Sequence, residues 1–204
     1  KASKKGIFRG SPAALSQSLC TVLGSNAELV GAVRKCLKLS PQGDCADGLH
    51  GPIGEWDVSH ITNMDYAFAE AHSFNASISD WDVSSVISMH YMFHQARLFN
   101  SDLSKWDVSS VVDMAAMFAG AKYFNGDLSK WDVSSVSDMS RMFRDASSFN
   151  GDISKWDVSK VSNMAGMFTG ASSFAQTLCG AWFTSTADKF EMFVDSSGKM
   201  CTSS

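Results

Sequence analysis

Apolar and polar residues follow a pattern along the chain that repeats every 25 residues. Large apolar residues stand at the same phase of each period, as shown by the tryptophans Trp56, Trp81, Trp106, Trp131 and Trp156. A fixed period of about 20 to 50 residues is typical of stacked repeats, since one unit cannot bury its own apolar side chains. The pattern therefore predicts a stack of five units, with a closing unit around Trp182.

The apolar spacing changes character within each unit. Leu103, Trp106 and Val108 follow the spacing of a leucine-rich-repeat strand, in which alternate side chains point inward. The apolar positions from Val111 to Phe124 then recur at three and four residues, which is the spacing of one helix face. Ser109 precedes this run and is expected to cap the helix. Each unit is therefore predicted to contain one short strand and one short helix.

Helix signals replace the repeat before residue 53. Ser11-Pro12 is expected to open a first helix that ends at Gly24. Ser25 and Glu28 form a capping box for a second helix, with Pro41 beyond its end. We interpret this pair as a lid, because an open end of the stack would expose apolar side chains.

Composition and charge exclude some classes of function. The chain has 17 basic and 21 acidic residues and a net charge of −4, which provides no basic field for a nucleic acid. No apolar run approaches the roughly 18 to 20 residues of a membrane-spanning helix. Because the chain begins at Lys1, we expect a mature or trimmed form, in which any signal peptide would already be gone.

The five cysteines lie outside the repeats, as expected for disulfides that close exposed ends. We expect Cys36 to pair with Cys45 across the turn at Pro41, and Cys179 to pair with Cys201. In a helical hairpin Cys20 and Cys36 would be about 15 Å apart, too far for a disulfide. Cys20 is left as a buried thiol or, less favoured, an intermolecular link.

Two polar patterns invite a metal-binding interpretation, which we disfavour. The asparagines Asn75, Asn100, Asn125 and Asn150 form a column that we expect to be buried and to satisfy turn backbone groups. Calcium binding by Asn-x-Asp pairs is the alternative, but the glycine framework of calcium-binding solenoids is missing. His90 and His94, four residues apart on a helix, are placed to share a metal, but other units have Ala, Ser or Arg there.

The repeat also argues against an enzyme. A catalytic residue is a singular feature, whereas the Ser and Asp candidates such as Ser109 and Asp107 recur in every unit. The histidines do not combine with them into a nucleophile, base and orienting group. We therefore predict no catalytic site, no metal and no cofactor.

Charged residues form two rows on the outward face of the predicted strands, and the rows are expected to offset each other. They make a flat ribbon that is either a solvated face or an extended binding surface. The lysine row is broken at Asp80, and the first two units are the least repetitive, so we expect a specific contact there. The candidate partner surface comprises Asp80, Asp82, Lys105, Asp107, Lys130, Asp132, Lys155, Asp157, His60, Tyr91 and Arg97.

The units from Trp81 to Trp156 read W-D-V-S-S-V-x-x-M-x-x-M-F-x-x-A-x-x-F-N-x-D-L-S-K-W with minor variation. This repeat resembles that of the BspA-like leucine-rich-repeat surface proteins, of a type also found in protists and microalgae. The closing Leu178–Trp182 segment resembles the terminal unit of algal members. The resemblance covers about residues 53–178 and transfers no catalytic residues.

Repeat pattern and resemblance together predict an α/β repeat fold, a right-handed leucine-rich-repeat-like solenoid with an N-terminal helical cap. The expected parts are a helical cap at 1–47, a five-unit solenoid at 48–178 and a C-terminal capping unit at 179–204.

The family resemblance implies a secreted or surface-exposed protein used for adhesion or scaffolding. The first functional hypothesis is a non-catalytic interaction module, at the cell surface or in another oxidising lumen, that binds a protein or glycan. The alternative is a structural subunit of a larger assembly, peripheral to a membrane complex and without a transmembrane segment of its own. A nucleic-acid partner is not expected.

Overall fold

The computed structural model describes residues 23–202. Its helices and strands lie near the two ends: α1 spans Asn26–Leu39, a 3-10 helix spans Ile53–Glu55, β1 spans Thr177–Leu178, α2 spans Ala181–Thr184 and β2 spans Lys199–Met200. β1 and β2 pair in parallel, with Thr177 opposite Lys199. Between residues 56 and 176 the chain forms turns and single β-bridges.

Successive units stack in register. Parallel β-bridges join residues that are 25 positions apart in the sequence. They link one column of six residues: Asn63, Ser88, Asp113, Asp138, Asn163 and Asp188. Each unit therefore lies directly against the next, and the sixth member of the column belongs to the segment that follows β1.

Columns of buried side chains form one continuous core through the stack. The Phe118 ring lies 5.6 Å from Phe93 in the preceding unit and 5.6 Å from Phe143 in the following unit. The tryptophans are also buried, and the Trp106 indole N–H donates to the carbonyl oxygen of Ile78 at 3.1 Å. Since the indole finds an acceptor, the ring is buried without an unsatisfied polar group.

The segment predicted to be helical in each unit forms consecutive turns instead. We call residues 64–71 and their equivalents in later units the turn segment. In the third unit the Met114 N–H donates to the Asp138 carbonyl at 3.0 Å, and the Ala116 N–H donates to Ser140 at 2.8 Å. An α-helix would direct these N–H groups four residues back along their own segment. Hydrogen bonds between units thus replace those within a helix.

Left-handed residues explain why the turn segment is not a helix. Ala116 has φ of 53° and Gly120 has φ of 73°, and the equivalent Tyr91 and Gln95 have 55° and 56°. A left-handed residue interrupts an α-helix and costs about 1 to 2 kcal/mol in a residue other than glycine. The inward positions from Val111 to Phe124 are nevertheless buried as predicted, so the spacing indicated burial correctly but not backbone conformation.

The predicted strand from Leu103 to Val108 also lacks strand pairing. The Trp106 N–H donates to the Leu103 carbonyl at 3.1 Å, and the Val111 N–H donates to Val108 at 2.9 Å. These bonds lie within one unit, so neither N–H is free to pair with a neighbouring unit. The side chains of Leu103, Trp106 and Val108 are buried as the sequence predicted. The solenoid class as a whole, and the boundaries 1–47, 48–178 and 179–204, stay predictions.

The second predicted helix corresponds to α1. Ser25 is its N-cap and accepts the Glu28 N–H at 3.3 Å, while the Glu28 carboxylate accepts the Gly24 N–H at 2.8 Å. Leu29 and Val33 face the core, as expected for a lid. The first predicted helix and Cys20 fall on residues before 23 and lie outside the described part of the chain.

A side chain of α1 also closes the first edge of the stack. The Asn26 amide donates to the carbonyl oxygens of Asn63 at 3.2 Å and Asp65 at 3.0 Å. In later units the equivalent carbonyls accept N–H groups from the preceding unit. The amide thus supplies the donors that a preceding unit would have provided.

Disulfides and glycines close both ends. The predicted pairs Cys36–Cys45 and Cys179–Cys201 are present, with Cα atoms 5.3 and 5.1 Å apart. Gly43, in the loop that the first disulfide closes, packs on the Phe74 ring so closely that an added Cβ would lie 2.6 Å from it. At the other end, Gly198 lies in the loop that the second disulfide closes, and an added Cβ would lie 2.6 Å from the Phe174 ring.

Candidate interaction surface

The aspartate row of the ribbon is engaged by neighbouring serines. One carboxylate oxygen of Asp107 accepts the Ser109 N–H at 3.1 Å and the Ser109 hydroxyl at 2.6 Å. Ser109 therefore stabilises a local turn. The prediction from the sequence that it caps a helix is wrong. The same backbone turn recurs at Asp57, Asp82, Asp132 and Asp157.

These hydrogen bonds lower the pKa of several carboxyl groups in the aspartate row. The Ser134 hydroxyl and N–H both donate to Asp132 and hold the pKa of that carboxyl below its ordinary value. The pKa of Asp57, Asp82 and Asp157 is lowered in the same way by Ser59, Ser84 and Ser159. A hydrogen bond to the charged form favours ionisation, so these four carboxylates are charged at neutral pH.

The lysine row is mostly unpaired, which differs from the expected offset between the two rows. Lys105 lies 3.6 Å from Asp80, and both side chains are largely exposed. Within residues 23–202, neither Lys130 nor Lys155 makes an ion pair. Hydrogen bonds from Ser129 are the main cause of the lowered pKa of Asp127, and attraction to Lys130 adds a smaller part. Ser154 and Lys155 act on Asp152 in the same order. The ribbon thus presents free ammonium groups beside engaged carboxylates.

The other three predicted surface residues lie in different parts of the unit. His60 is exposed near the start of the ribbon. Tyr91 lies in the turn segment, half-buried, with its ring stacked 5.2 Å from Tyr66. Arg97 is exposed just beyond the turn segment. The structure records no contact among His60, Tyr91 and Arg97, so these residues do not form one cluster.

A histidine and tyrosine cluster lies on the turn segments of the first two units. Tyr91 packs 4.5 Å from His90 and 4.9 Å from His94, measured between ring centroids. His90 Nδ1 is 3.5 Å from the Asp113 carboxylate. Burial lowers the pKa of His94, although Glu70 opposes this in part. No group of three His, Cys, Asp or Glu side chains suited to a metal occurs within residues 23–202.

Two grooves flank the loop that the first disulfide closes, and Asp44 borders both. The larger groove, about 650 Å³, runs along the first three units and is bordered by Leu98 and Tyr123. The smaller groove, about 320 Å³, is bordered by Glu55 and Asp80. We call this region, comprising the Gln42–Asp44 loop and the two grooves, the junction. Of the predicted surface residues, Asp80 lies in it.

Two members of the asparagine column, Asn75 and Asn100, line the larger groove. The Asn75 side-chain oxygen accepts the Asn100 N–H at 2.8 Å, and the Asn100 oxygen accepts the Asn125 N–H at 2.9 Å. The column satisfies turn backbone as predicted, but it is exposed rather than buried. Exposure leaves its amide NH2 groups directed to solvent.

Sequence reasoning did not identify the larger groove. The signal was the replacement of serine by larger residues in one column, where Leu98 and Tyr123 stand between Ser73 and Ser148. The Gln42–Asp44 contribution depends on how the loop folds back, shown by the Asn75 N–H donating to the Gln42 carbonyl at 3.2 Å. The repeat contains no information on that contact.

Comparison with known proteins places the repeats in a family. The family model described as "Mycoplasma protein of unknown function, DUF285" matches residues 44–131 and 104–202. It is the BspA-like repeat family, so the resemblance is confirmed at the level of the repeat family. No curated protein and no solved structure matches the chain significantly. Within residues 23–202 no helix is long and apolar enough to cross a membrane.

Proposed function

The chain belongs to the DUF285 family of BspA-like repeat proteins, and from this membership we propose that it is a non-catalytic interaction or adhesion module that binds a protein or a glycan. The proposal includes a right-handed, leucine-rich-repeat-like solenoid between two caps, of the protist or microalgal type. Stacked repeats supply extended binding surfaces without requiring a catalytic centre.

The observation that carries this proposal is where the surface departs from the repeat. Core columns hold apolar residues in every unit, because each buried side chain must pack on its neighbours. Surface columns are free to vary, and the residues that differ from the repeat lie beside the Gln42–Asp44 loop at the junction. There Asp80 replaces the lysine of later units, and Leu98 and Tyr123 replace serine. A localised departure from a repeated surface is what a specific contact requires.

Two disulfides support an oxidising compartment for this module. Cys36–Cys45 and Cys179–Cys201 close the two ends of the stack, and structural disulfides persist in secreted or lumenal proteins. The proposed location is therefore the cell surface, the extracellular space or another oxidising lumen.

Charge reversal tests the proposed contact. The double variant Asp80→Lys with Arg97→Glu keeps the net charge but reverses two exposed charges in the second unit. The matched control, Arg141→Glu with Glu191→Lys, makes the opposite pair of changes at exposed positions in the last units. Both variants and the parent chain are applied to an array of purified glycans and to a panel of purified extracellular proteins.

The expected result is at least one bound component. Binding to a protein is expected to weaken at least about tenfold in the first variant and to stay unchanged in the control; tenfold corresponds to about 1.4 kcal/mol. Protein binding that survives the Asp80 and Arg97 reversals, or no binding to any component, contradicts the proposal.

A second candidate function, a structural subunit of a larger assembly, is favoured by the last edge of the stack. The N–H groups of Lys189, Glu191, Phe193 and Asp195 have no acceptor within residues 23–202, whereas the equivalent groups of earlier units donate to the next unit. Phe190 and Val194 are exposed on the same segment. Unpaired backbone donors beside apolar side chains are typical of an edge that a partner covers.

Native mass measurement separates the two candidates. A binding module is expected to be monomeric when purified alone, with backbone amides of residues 189–195 exchanging rapidly with solvent. A structural subunit is expected to co-purify from its source in a complex of larger mass, with the same amides protected. Rapid exchange of these amides within such a complex contradicts the structural role.

A further inference from the structure

We propose that the larger groove of the junction binds a neutral oligosaccharide. This inference rests on the proposed interaction function and specifies its ligand class and location. The groove volume of about 650 Å³ falls within the range of roughly 300 to 1,000 Å³ for small-ligand sites.

The groove offers apolar surface in a form that suits a sugar ring. The Tyr123 side chain is 61% exposed and Leu98 is 47% exposed, in the same column of adjacent units. Within residues 23–202 the Tyr123 ring packs on no other aromatic ring, and most of the residue is accessible to a ligand. The C–H face of a pyranose is apolar and packs on such a ring while its hydroxyls stay solvated.

Hydrogen-bond donors lie beside this apolar surface at a regular spacing. The oxygens of Asn75 and Asn100 are used within the column, and their NH2 groups have no acceptor among the described residues. The rings of Phe74 and Phe99, the residues directly before these asparagines, lie 5.6 Å apart and indicate the spacing between the two units. The amides thus offer donors at intervals comparable to the length of one sugar residue.

Acceptors and charge select a neutral ligand. The Asp44 carboxylate and the Ser73 hydroxyl line the same groove and accept from sugar hydroxyls. Among residues 23–202 no Lys, Arg or His lines the groove. A phosphorylated or acidic ligand would meet Asp44 without a compensating cation, which disfavours it.

The groove is preorganised, which lowers the entropy cost of binding. The Asn100 amide is held by its backbone partner in the next unit, and the Cys36–Cys45 disulfide fixes the Gln42–Asp44 loop on the Phe74 ring. Backbone N–H groups of the column are already paired, so the groove does not offer an edge for an added peptide strand.

The test uses defined neutral hexasaccharides, cellohexaose, xylohexaose and mannohexaose, with polygalacturonate as the acidic comparison. Titration of the 15N-labelled full chain is followed through the side-chain NH2 signals of Asn75 and Asn100. At least one neutral hexasaccharide is expected to shift these signals. Tyr123→Ala is expected to weaken its binding by about tenfold, the upper range for one aromatic contact. Tyr123→Phe keeps the ring and most of the affinity, and Ser173→Ala, in the same column of the last unit, is the control.

The outcomes separate this inference from the proposed function. Binding of polygalacturonate alone, or neutral binding that Tyr123→Ala leaves unchanged, overturns the inference. If no hexasaccharide binds but the Asp80 and Arg97 reversals still abolish binding to a purified protein, the inference fails while the interaction function stands. If neither a hexasaccharide nor a purified protein binds, the inference and the interaction function both fail.

Discussion

The junction and the fourth and fifth units share one core but have different surfaces. Phe93 and Phe118 stack at 5.6 Å near the junction, and Phe143 and Phe168 stack at 5.7 Å in the later units. On the surface, Leu98 and Tyr123 border a groove at the junction, whereas the same column in later units has Ser148 and Ser173. The interior is therefore set by stacking, and specificity resides in what the surface adds.

Each unit of the repeat contains two kinds of residue, buried core residues and exposed surface residues, and the two regions differ mainly in the second kind. Core tryptophans such as Trp106 and Trp156 are buried and donate the indole N–H to a carbonyl of the preceding unit in either region, so their loss should be costly wherever it occurs. Surface substitutions at the junction touch few neighbours, so their loss should affect binding and leave stability nearly unchanged. Each prediction below tests one side of this distinction.

The largest effect is expected for a core tryptophan. Trp106→Ala removes a buried indole and its hydrogen bond to Ile78, and should lower the free energy of unfolding by about 3 to 5 kcal/mol. Trp156→Ala, in the later units, should cost the same within about 1 kcal/mol. Urea denaturation measures both. A loss below about 1 kcal/mol at either site would contradict the claim that the two regions depend equally on the buried tryptophans.

The glycines that close the ends come next. Gly43→Ala places a Cβ 2.6 Å from the buried Phe74 ring, and Gly198→Ala does so against Phe174. Each change should cost about 1 to 3 kcal/mol through overpacking. Gly31→Ala, within α1 and with open space around it, should instead stabilise by up to about 1 kcal/mol. Thermal unfolding checks the opposite signs; equal shifts for all three would contradict the packing account.

The asparagine column distinguishes stability from binding. Asn100→Ala and Asn125→Ala each remove one hydrogen bond to the next unit and should cost about 1 kcal/mol. Asn100→Asp keeps the accepting oxygen and should retain most of that stability. Because Asn100 borders the groove and Asn125 does not, Asn100→Ala alone should also weaken hexasaccharide binding. Equal binding losses would place the ligand elsewhere.

The smallest effect concerns pH, and it is confined to the first units. Burial places the pKa of His94 below its ordinary value of 6.5. The unfolded chain therefore gains a proton first as the pH falls, so stability decreases from about pH 6.5 down to the lower folded pKa. His94→Asn should remove this part of the slope. Arg144→Asn, at the equivalent position in the fourth unit, should not, because arginine stays protonated throughout. The free energy of unfolding of the parent chain and both variants is measured between pH 7.5 and pH 5. An unchanged slope in His94→Asn would contradict the assignment to His94.

Much of the fold could be predicted from apolar spacing, because burial is what the repeat encodes. The inward positions of Trp106, Met114 and Phe118 and the two disulfide pairs agree with the structure. The backbone of the turn segment could not be predicted this way. Residues such as Tyr91 and Ala116 adopt left-handed φ angles because hydrogen bonds to the next unit hold them there. Three-and-four spacing does not distinguish this arrangement from a helix.

Only part of the groove geometry is visible in the sequence, for a related reason. The break at Asp80 is visible as a departure from the lysine row, and it does border a groove. The larger groove depends on how the Gln42–Asp44 loop packs against the first units, a contact between distant segments. The charged rows illustrate the same limit, since the aspartates bind serines two residues on rather than the lysines.

The most direct test of the account is a binding isotherm for a chain whose junction is made to match the later units. The triple variant Asp80→Lys, Leu98→Ser, Tyr123→Ser introduces only residues that later units already have at these positions. It should unfold within about 1 kcal/mol of the parent chain, as exposed surface changes do, and lose binding to every array component that the parent binds. Retained binding with unchanged stability would contradict the claim that recognition resides at the junction.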